Sequence, residues 1–229
     1  NRKHRFHHES NHAAMKISFQ HRRTGMSLLD VMIVIATVAL AATYFLVVQP
    51  FRAKSYGNGI NCINNVKQIG LSFRLYAGDN NDRYPMNVFT NGQLLVLETN
   101  EVHEYFSLLQ NELGTPKVLI CPKDNKRNPA NNFSILSNAN ISYFVGLDGN
   151  ENFPSSIVAG DRNITNGTSP VMGLLNLTTN HPAGFTGGIH TNQGNIALGD
   201  GSVRQVSSAR LRSDIIKNSP FATNRIMLP

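Results

Sequence analysis

The sequence predicts an α+β protein: a long N-terminal helix, membrane-spanning in its first half, packed on a mainly antiparallel β-sheet. Three observations predict it. Residues 31–48 are eighteen consecutive positions without a charge, and at about 1.5 Å per helical residue they approach the roughly 30 Å of a hydrocarbon core. Next, Ile60, Ile63, Val66, Ile69, Phe73 and Tyr76 recur at intervals of three and four, the period of a helix with one buried face. Short β-rich segments separated by Asn, Gly, Pro and Asp follow.

The elements follow in chain order. The apolar run lacks the polar face of a core helix, since only Thr37 and Thr43 interrupt it. Arg22, Arg23 and Lys16, with Arg2, Lys3 and Arg5 further out, precede the run and resist translocation, so the amino end is expected in the cytoplasm and the chain from Phe51 onward outside it. Arg52 and Lys54 weaken that asymmetry without reversing it. Pro50 removes a backbone donor and "YGNG" (residues 56–59) is a cluster of breakers, so a kink or unwound segment is expected there. The expected division is a cytoplasmic leader (1–25), a transmembrane helix (26–50), a spine helix outside the membrane (51–77) and an α+β outer domain (78–229).

In the outer domain, "EVHEYFSLLQNEL" puts Val102, Tyr105, Phe106, Leu109 and Leu113 on one helical face, and "KVLIC", "ISYFVGL", "SSIVAG" and "VMGLLNL" read as strands. In "NIALGDGSVRQV", Asp200-Gly201 reads as a two-residue hairpin turn with positive φ at both central positions. "SSARLRSDIIKN" reads as a short helix with a Ser cap.

Charge sets the front end apart. Residues 1–25 carry +5 of the formal +7, so the basicity that would ordinarily suggest nucleic acid belongs mainly to the leader. Five of the eight histidines lie there too, where a solvated leader is the simpler reading than a metal site. Met15 is a plausible start, leaving a short basic leader ahead of Gly25. The apolar run is longer than a signal peptide's, and no small-residue cleavage site follows it. Asp30, at its start, is costly in hydrocarbon, about 2.5 to 3.5 kcal/mol on insertion scales, and persists only with a partner or a function. Snorkelling to the cytoplasmic headgroups is the bland alternative.

"RRTG" followed by "MSLLDVMIVIATVAL" resembles the class III leader of type IV pilins and type II secretion pseudopilins. The resemblance implies cleavage between Gly25 and Met26 by a membrane-embedded prepilin peptidase, N-methylation of Met26, and a role for Asp30 in assembly, its carboxylate neutralising the new α-amine of a neighbouring subunit. The family usually carries Phe and Glu where this chain has Met26 and Asp30. His190 and Asp200-Gly201 stand as H-x9-DG, and "CINNVKQIGLSFRLYAGDNNDRYP", "VLICPKDN" and "ISYFVGLDGNENFPSSIVAGDRN" are similar to segments of the bacterial prepilin-like group named for that ending. The implied fold is pilin-like, and the implied location is the bacterial inner membrane with the outer domain in the periplasm or on a surface filament. The implied partners are the peptidase, other pilin or pseudopilin subunits, the inner-membrane assembly platform and the bilayer.

Other chemistry is thinly signalled, and neither a cofactor nor a catalytic residue is expected. His190 and Asp200 could serve as a base and its orienter or as metal ligands, with a turn and a hydrogen-bonded His as the simpler reading. Asp79, Asn80, Asn81 and Asp82 offer oxygen donors for calcium, but lack the alternation and distal Glu of an EF-hand loop. Asp148, Glu151 and Asp161 form a second polar region without a specific pattern. Cys62 and Cys121 can pair or remain buried thiols, because sequence does not give their separation. Five N-x-S/T sequons, at Asn132, Asn140, Asn163, Asn166 and Asn176, read as turn-rich surface.

The expected function is a structural pseudopilin or minor pilin assembled into a type II secretion or type IV pilus-like filament. An anchored extracytoplasmic binding protein or enzyme would instead need a deep pocket with convergent polar groups. A DNA-capturing pilin would need a basic stripe, which a remaining charge of +2 does not promise.

Overall fold

The computed structural model describes residues 25–90, 93–94 and 101–229, and the chain divides into two compact units at Gln49/Pro50. Helix α1 (Leu28–Asp79) begins in the first unit and ends in the second. Its start is capped by side chains: Ser27 Oγ accepts from the Leu29 N–H at 3.3 Å, and Asp30 Oδ2 accepts from the Ser27 N–H at 3.0 Å, satisfying two donors that a helix start leaves open. Leu28–Leu46 is long and apolar enough to cross a membrane, and every side chain in it is exposed. Thr37 and Thr43 spend their hydroxyls on the carbonyls of Val34 and Leu40, so neither adds an unpaired polar group to that surface.

The helix continues unbroken through Pro50 and residues 56–59, which corrects the expectation of an unwound segment there. One proline removes one ladder bond and each glycine costs about 1 kcal/mol, less than ending and renucleating a helix. In the second unit, Cys62, Val66, Ile69, Phe73, Tyr76 and Ala77 are the buried face of α1, whereas Ile60, at 44% exposure, lies outside it. The helix stops where Asn80 and Asp82 both donate their N–H to the Ala77 carbonyl and the chain enters positive φ at Asn81 and Asp82.

After α1 come a two-stranded ribbon, β1 (Phe89–Thr90) and β2 (Gln93–Leu94), then α2 (Val102–Leu108) and α3 (Gln110–Leu113). The five apolar residues anticipated for this helical face are all buried. "KVLIC" is not a strand: residues Pro116–Leu119 form a 3-10 turn, because Thr115 caps Lys117 and Pro116 sets the first helical φ.

The remaining strands are β3 (Tyr143–Gly146), β4 (Ile157–Asp161), β5 (Ile164–Thr165), β6 (Leu174–Thr178), β7 (Gly184–Phe185), β8 (Gln193–Leu198), β9 (Val203–Ser207) and β10 (Thr223–Met227). Six of them form one sheet in the order β6-β10-β3-β4-β8-β9, every pair antiparallel, and β5 pairs with β7 alongside. Strand alternation then builds two cores. Tyr143, Val145, Ala197 and Met227 face α1 and α2, while Phe144, Ile196, Leu198 and Ile226 face the other way. A register shift between Ile157 and Ala159 lets Val158 and Ala159 both join the α1 side.

The second face is covered by the segment that opens at α4 (Ser208–Arg210) and continues as a π-helical turn over Leu211–Ile216. The Ser207 hydroxyl accepts from the Arg210 N–H, which is the Ser cap anticipated for this segment. Leu211, Ile215 and Ile216 pack with Phe185 and Val206. The architecture is α+β and pilin-like.

The β8–β9 turn differs from expectation. Gly201 donates its N–H to Leu198 O, Leu198 donates to Ser202 O, and only Gly201 of the Asp-Gly pair has positive φ, at 80°. This is a three-residue loop, a type I turn followed by a left-handed glycine, rather than the two-residue form. Asp200 instead accepts the Ser202 N–H on its side chain at 2.8 Å, and its carbonyl accepts from Arg74 Nη1 at 2.7 Å, tying the turn to α1.

Candidate functional site

Two places concentrate functional side chains. At the start of α1, Gly25 and Met26 precede the helix without regular secondary structure, with Met26 79% exposed. Asp30 sits at the third helical position, where a carboxylate suits both the open N–H groups and the positive end of the helix dipole. Its Oδ2 is engaged by Ser27, and the residue as a whole is exposed. The signature Ser-x-x-Asp was present in the sequence, and its capping role was missed because the reading weighed only charge and burial.

The second place lies in the core of the outer unit. Cys62 on α1 and Cys121, two residues beyond the 3-10 turn, form a disulfide with Cα atoms 5.0 Å apart, both fully buried. Asn65 on α1 donates to the Ile120 carbonyl at 2.8 Å, and Ser142 N donates to Leu119 O, so the Cys121 segment is pinned from both sides. His190, 5% exposed, brings Nε2 to 3.5 Å from Cys121 Sγ, 3.4 Å from Asp161 Oδ2 and 3.5 Å from Asn195 Nδ2. Asp161 ends β4 and Asn195 lies on the adjacent β8; Asp161 Oδ2 accepts from both the Asn195 backbone N–H (2.7 Å) and Nδ2 (2.9 Å). Asn163 Nδ2 donates to the carbonyls of Thr186, His190 and Gln193, fixing the loop that carries His190.

Burial dominates the electrostatics here. It pushes Asp161 up to about 7 against the opposing Asn195 bonds, and pushes His190 down to about 4, helped by the positive charge of Lys123. The His190–Asp161 contact is therefore a neutral one between those values, although its geometry would qualify as an ion pair if both groups were charged. Asp161 Oδ1 and Asn195 Oδ1 are buried and find no partner among the described residues.

The structure separates the other sequence candidates. His190 precedes β8 and Asp200 follows it, so six residues of strand, about 20 Å, keep them from acting as a base and its orienter. Asp148 pairs with Arg225, with Arg225 Nε 2.9 Å from Oδ1, and Glu151 pairs with Arg74 at 3.3 Å, while Asp161 is the buried member of the set. Asp79 and Asp82 do not converge with a third ligand: among the described residues, only Cys62, Cys121 and His190 gather three such groups. Of the sequon asparagines, Asn163 and Asn166 are buried and serve the fold. Nothing in the sequence joined His190 to Cys121, because 69 residues separate them and they belong to different loops that meet only in the folded unit.

A cleft of about 420 Å³ lies between the end of β6 and the π-helical segment, lined by Thr178, Thr179, Ala209, Arg212, Ser213, Ile216 and Lys217. Its lining holds no His, Cys, Asp or Glu, and its charged residues are Arg212 and Lys217. Arg212 spends Nη1 on the Ala183 carbonyl at 2.8 Å.

No family model matches the chain, and no curated protein or solved structure does so. Fold and site define a class by architecture: a pilin-like α+β chain with one helix long and apolar enough to span a membrane and a disulfide-tied β-sheet domain.

Proposed function

We propose that the chain is a structural pseudopilin or minor pilin of a type II secretion or type IV pilus-like filament. A prepilin peptidase removes residues 1–25 and methylates Met26, and the outer unit lies beyond the inner membrane, with the leader's positive charge holding the amino end in the cytoplasm. The observation that carries this reading is Asp30: a carboxylate at the third position of an exposed apolar helix, one turn from the scissile Gly25–Met26 bond. Its capping bond uses one oxygen, leaving the second to meet the α-amine of a neighbouring subunit as helices pack head to tail. The outer unit then serves as a body of contact between subunits.

Asp30→Asn separates processing from assembly. The amide still accepts the Ser27 N–H, so folding and cutting are expected to persist, while recovery in sheared or cross-linked filaments falls at least about ten-fold through loss of the charge pair. Wild-type incorporation of the variant would contradict the role given to the carboxylate.

A further inference from the structure

We propose that Cys62, Cys121 and His190, once the disulfide is reduced, form a zinc site that Asp161 closes as fourth ligand. The geometry carries it. A tetrahedral zinc with Zn–S of about 2.3 Å and Zn–N or Zn–O of about 2.0 to 2.1 Å places sulfur about 3.6 Å from nitrogen and nitrogen about 3.4 Å from oxygen. Cys121 Sγ lies 3.5 Å from His190 Nε2, and His190 Nε2 lies 3.4 Å from Asp161 Oδ2. Two edges of the tetrahedron thus already have the lengths a bound metal requires. The ligand atoms of Cys62, Cys121 and His190 all fall within 4.8 Å of one another. Reduction opens the sulfur–sulfur edge from a covalent bond to about 3.8 Å, and the Asp161 carboxylate, which lies outside that group of three, moves toward the sulfurs to close the shell.

The donor set selects the metal: two thiolates with one imidazole and one carboxylate suit zinc far better than magnesium or calcium, which take oxygen. The surroundings suit it too. All four side chains are buried, and Asp161 Oδ2 is held by two bonds from Asn195, the outer support that ligating carboxylates commonly have. Asp161 Oδ1, buried without a partner among the described residues, would gain the metal's charge nearby.

The chemistry balances with an external dithiol. The dithiol gives two electrons and two protons, the Cys62–Cys121 bond becomes two thiols, and the reductant closes into its own disulfide. Zinc then displaces both thiol protons to solvent and remains divalent throughout. Disulfide and zinc forms exclude each other, so metal would shield the thiols from oxidation until it is withdrawn.

The test uses the full chain in detergent, reduced with dithiothreitol, desalted without oxygen, and titrated with cobalt(II) and then zinc(II). The expected result is one equivalent of cobalt with thiolate-to-metal charge-transfer absorption, displaced by zinc and absent from the oxidised protein. His190→Ala, which removes a ligand outright, should weaken binding by more than the roughly 10- to 100-fold that losing an outer-shell partner costs. X-ray absorption at the zinc edge of the wild-type chain, which needs no variant, should find two sulfur and two nitrogen or oxygen neighbours. A reduced chain that binds no stoichiometric metal, folded or not, would overturn the proposal, as would unchanged affinity after His190→Ala or a shell without sulfur.

Discussion

Asp124 and Arg162 form a bidentate ion pair in the outer unit. The Asp124 side chain is fully buried and receives Arg162 Nε at 2.7 Å and Nη2 at 2.8 Å, with Ser142 Oγ at 2.9 Å. Burial alone would raise its pKa, but those bonds and the guanidinium charge outweigh it and hold the carboxyl below its ordinary value. A lowered folded-state pKa means that the pair's stabilisation is complete above the unfolded value of about 4 and is lost as pH falls through the folded one. Arg162→Ala should therefore cost about 3 kcal/mol at neutral pH by stranding a buried carboxylate, with a gap to wild type that narrows in acid; urea titrations between neutral pH and pH 3 would measure it, and a constant gap would contradict the argument. Gly201 offers a second check. Its φ of 80° is unfavourable for a side chain, and a Cβ there would come within 2.8 Å of Arg74 Cδ, so Gly201→Ala should lower stability by about 1 to 2 kcal/mol in thermal melts. The Asp-Gly pair was legible as a turn; the loop length was not, because it depends on Leu198 pairing with Ser202 instead of on local propensity.

Among the elements, the disulfide joins α1 to the segment leading into β3 across 59 residues of sequence. Replacing Cys62 and Cys121 together by Ala should cost about 2 to 4 kcal/mol, chiefly by freeing the unfolded chain, and equilibrium unfolding under oxidising and reducing conditions would read it. Periodicity made the second half of α1 and α2 legible, since each buries one face over a run long enough to show its period, and the Asp-Gly dipeptide marked the β8–β9 hairpin. "KVLIC" misled because its apolar run is short and capped by Thr115-Pro116, and β10 was overlooked because TNRIM has only two apolar residues. That strand nevertheless sits inside the sheet between β6 and β3, where pairing supplies what local propensity does not. The buried cluster around His190 was illegible for the same reason: its members come from α1, the Cys121 segment, β4 and β8.

For the whole molecule, the outer unit holds two cores on opposite faces of one sheet, so its stability should not depend on the apolar helix that precedes it. Residues 57–229 expressed alone should be soluble and unfold cooperatively; a molten product by near-ultraviolet circular dichroism would show that the core is incomplete without the preceding helix. Under the proposed function, the apolar helix belongs to a processed filament subunit and is more than an anchor. The most direct measurement is the intact mass of the chain after co-expression with a prepilin peptidase. The account predicts a product that begins at Met26 and carries one added methyl group, with Gly25→Val blocking the cut. A chain that keeps its leader beside an active peptidase would contradict it.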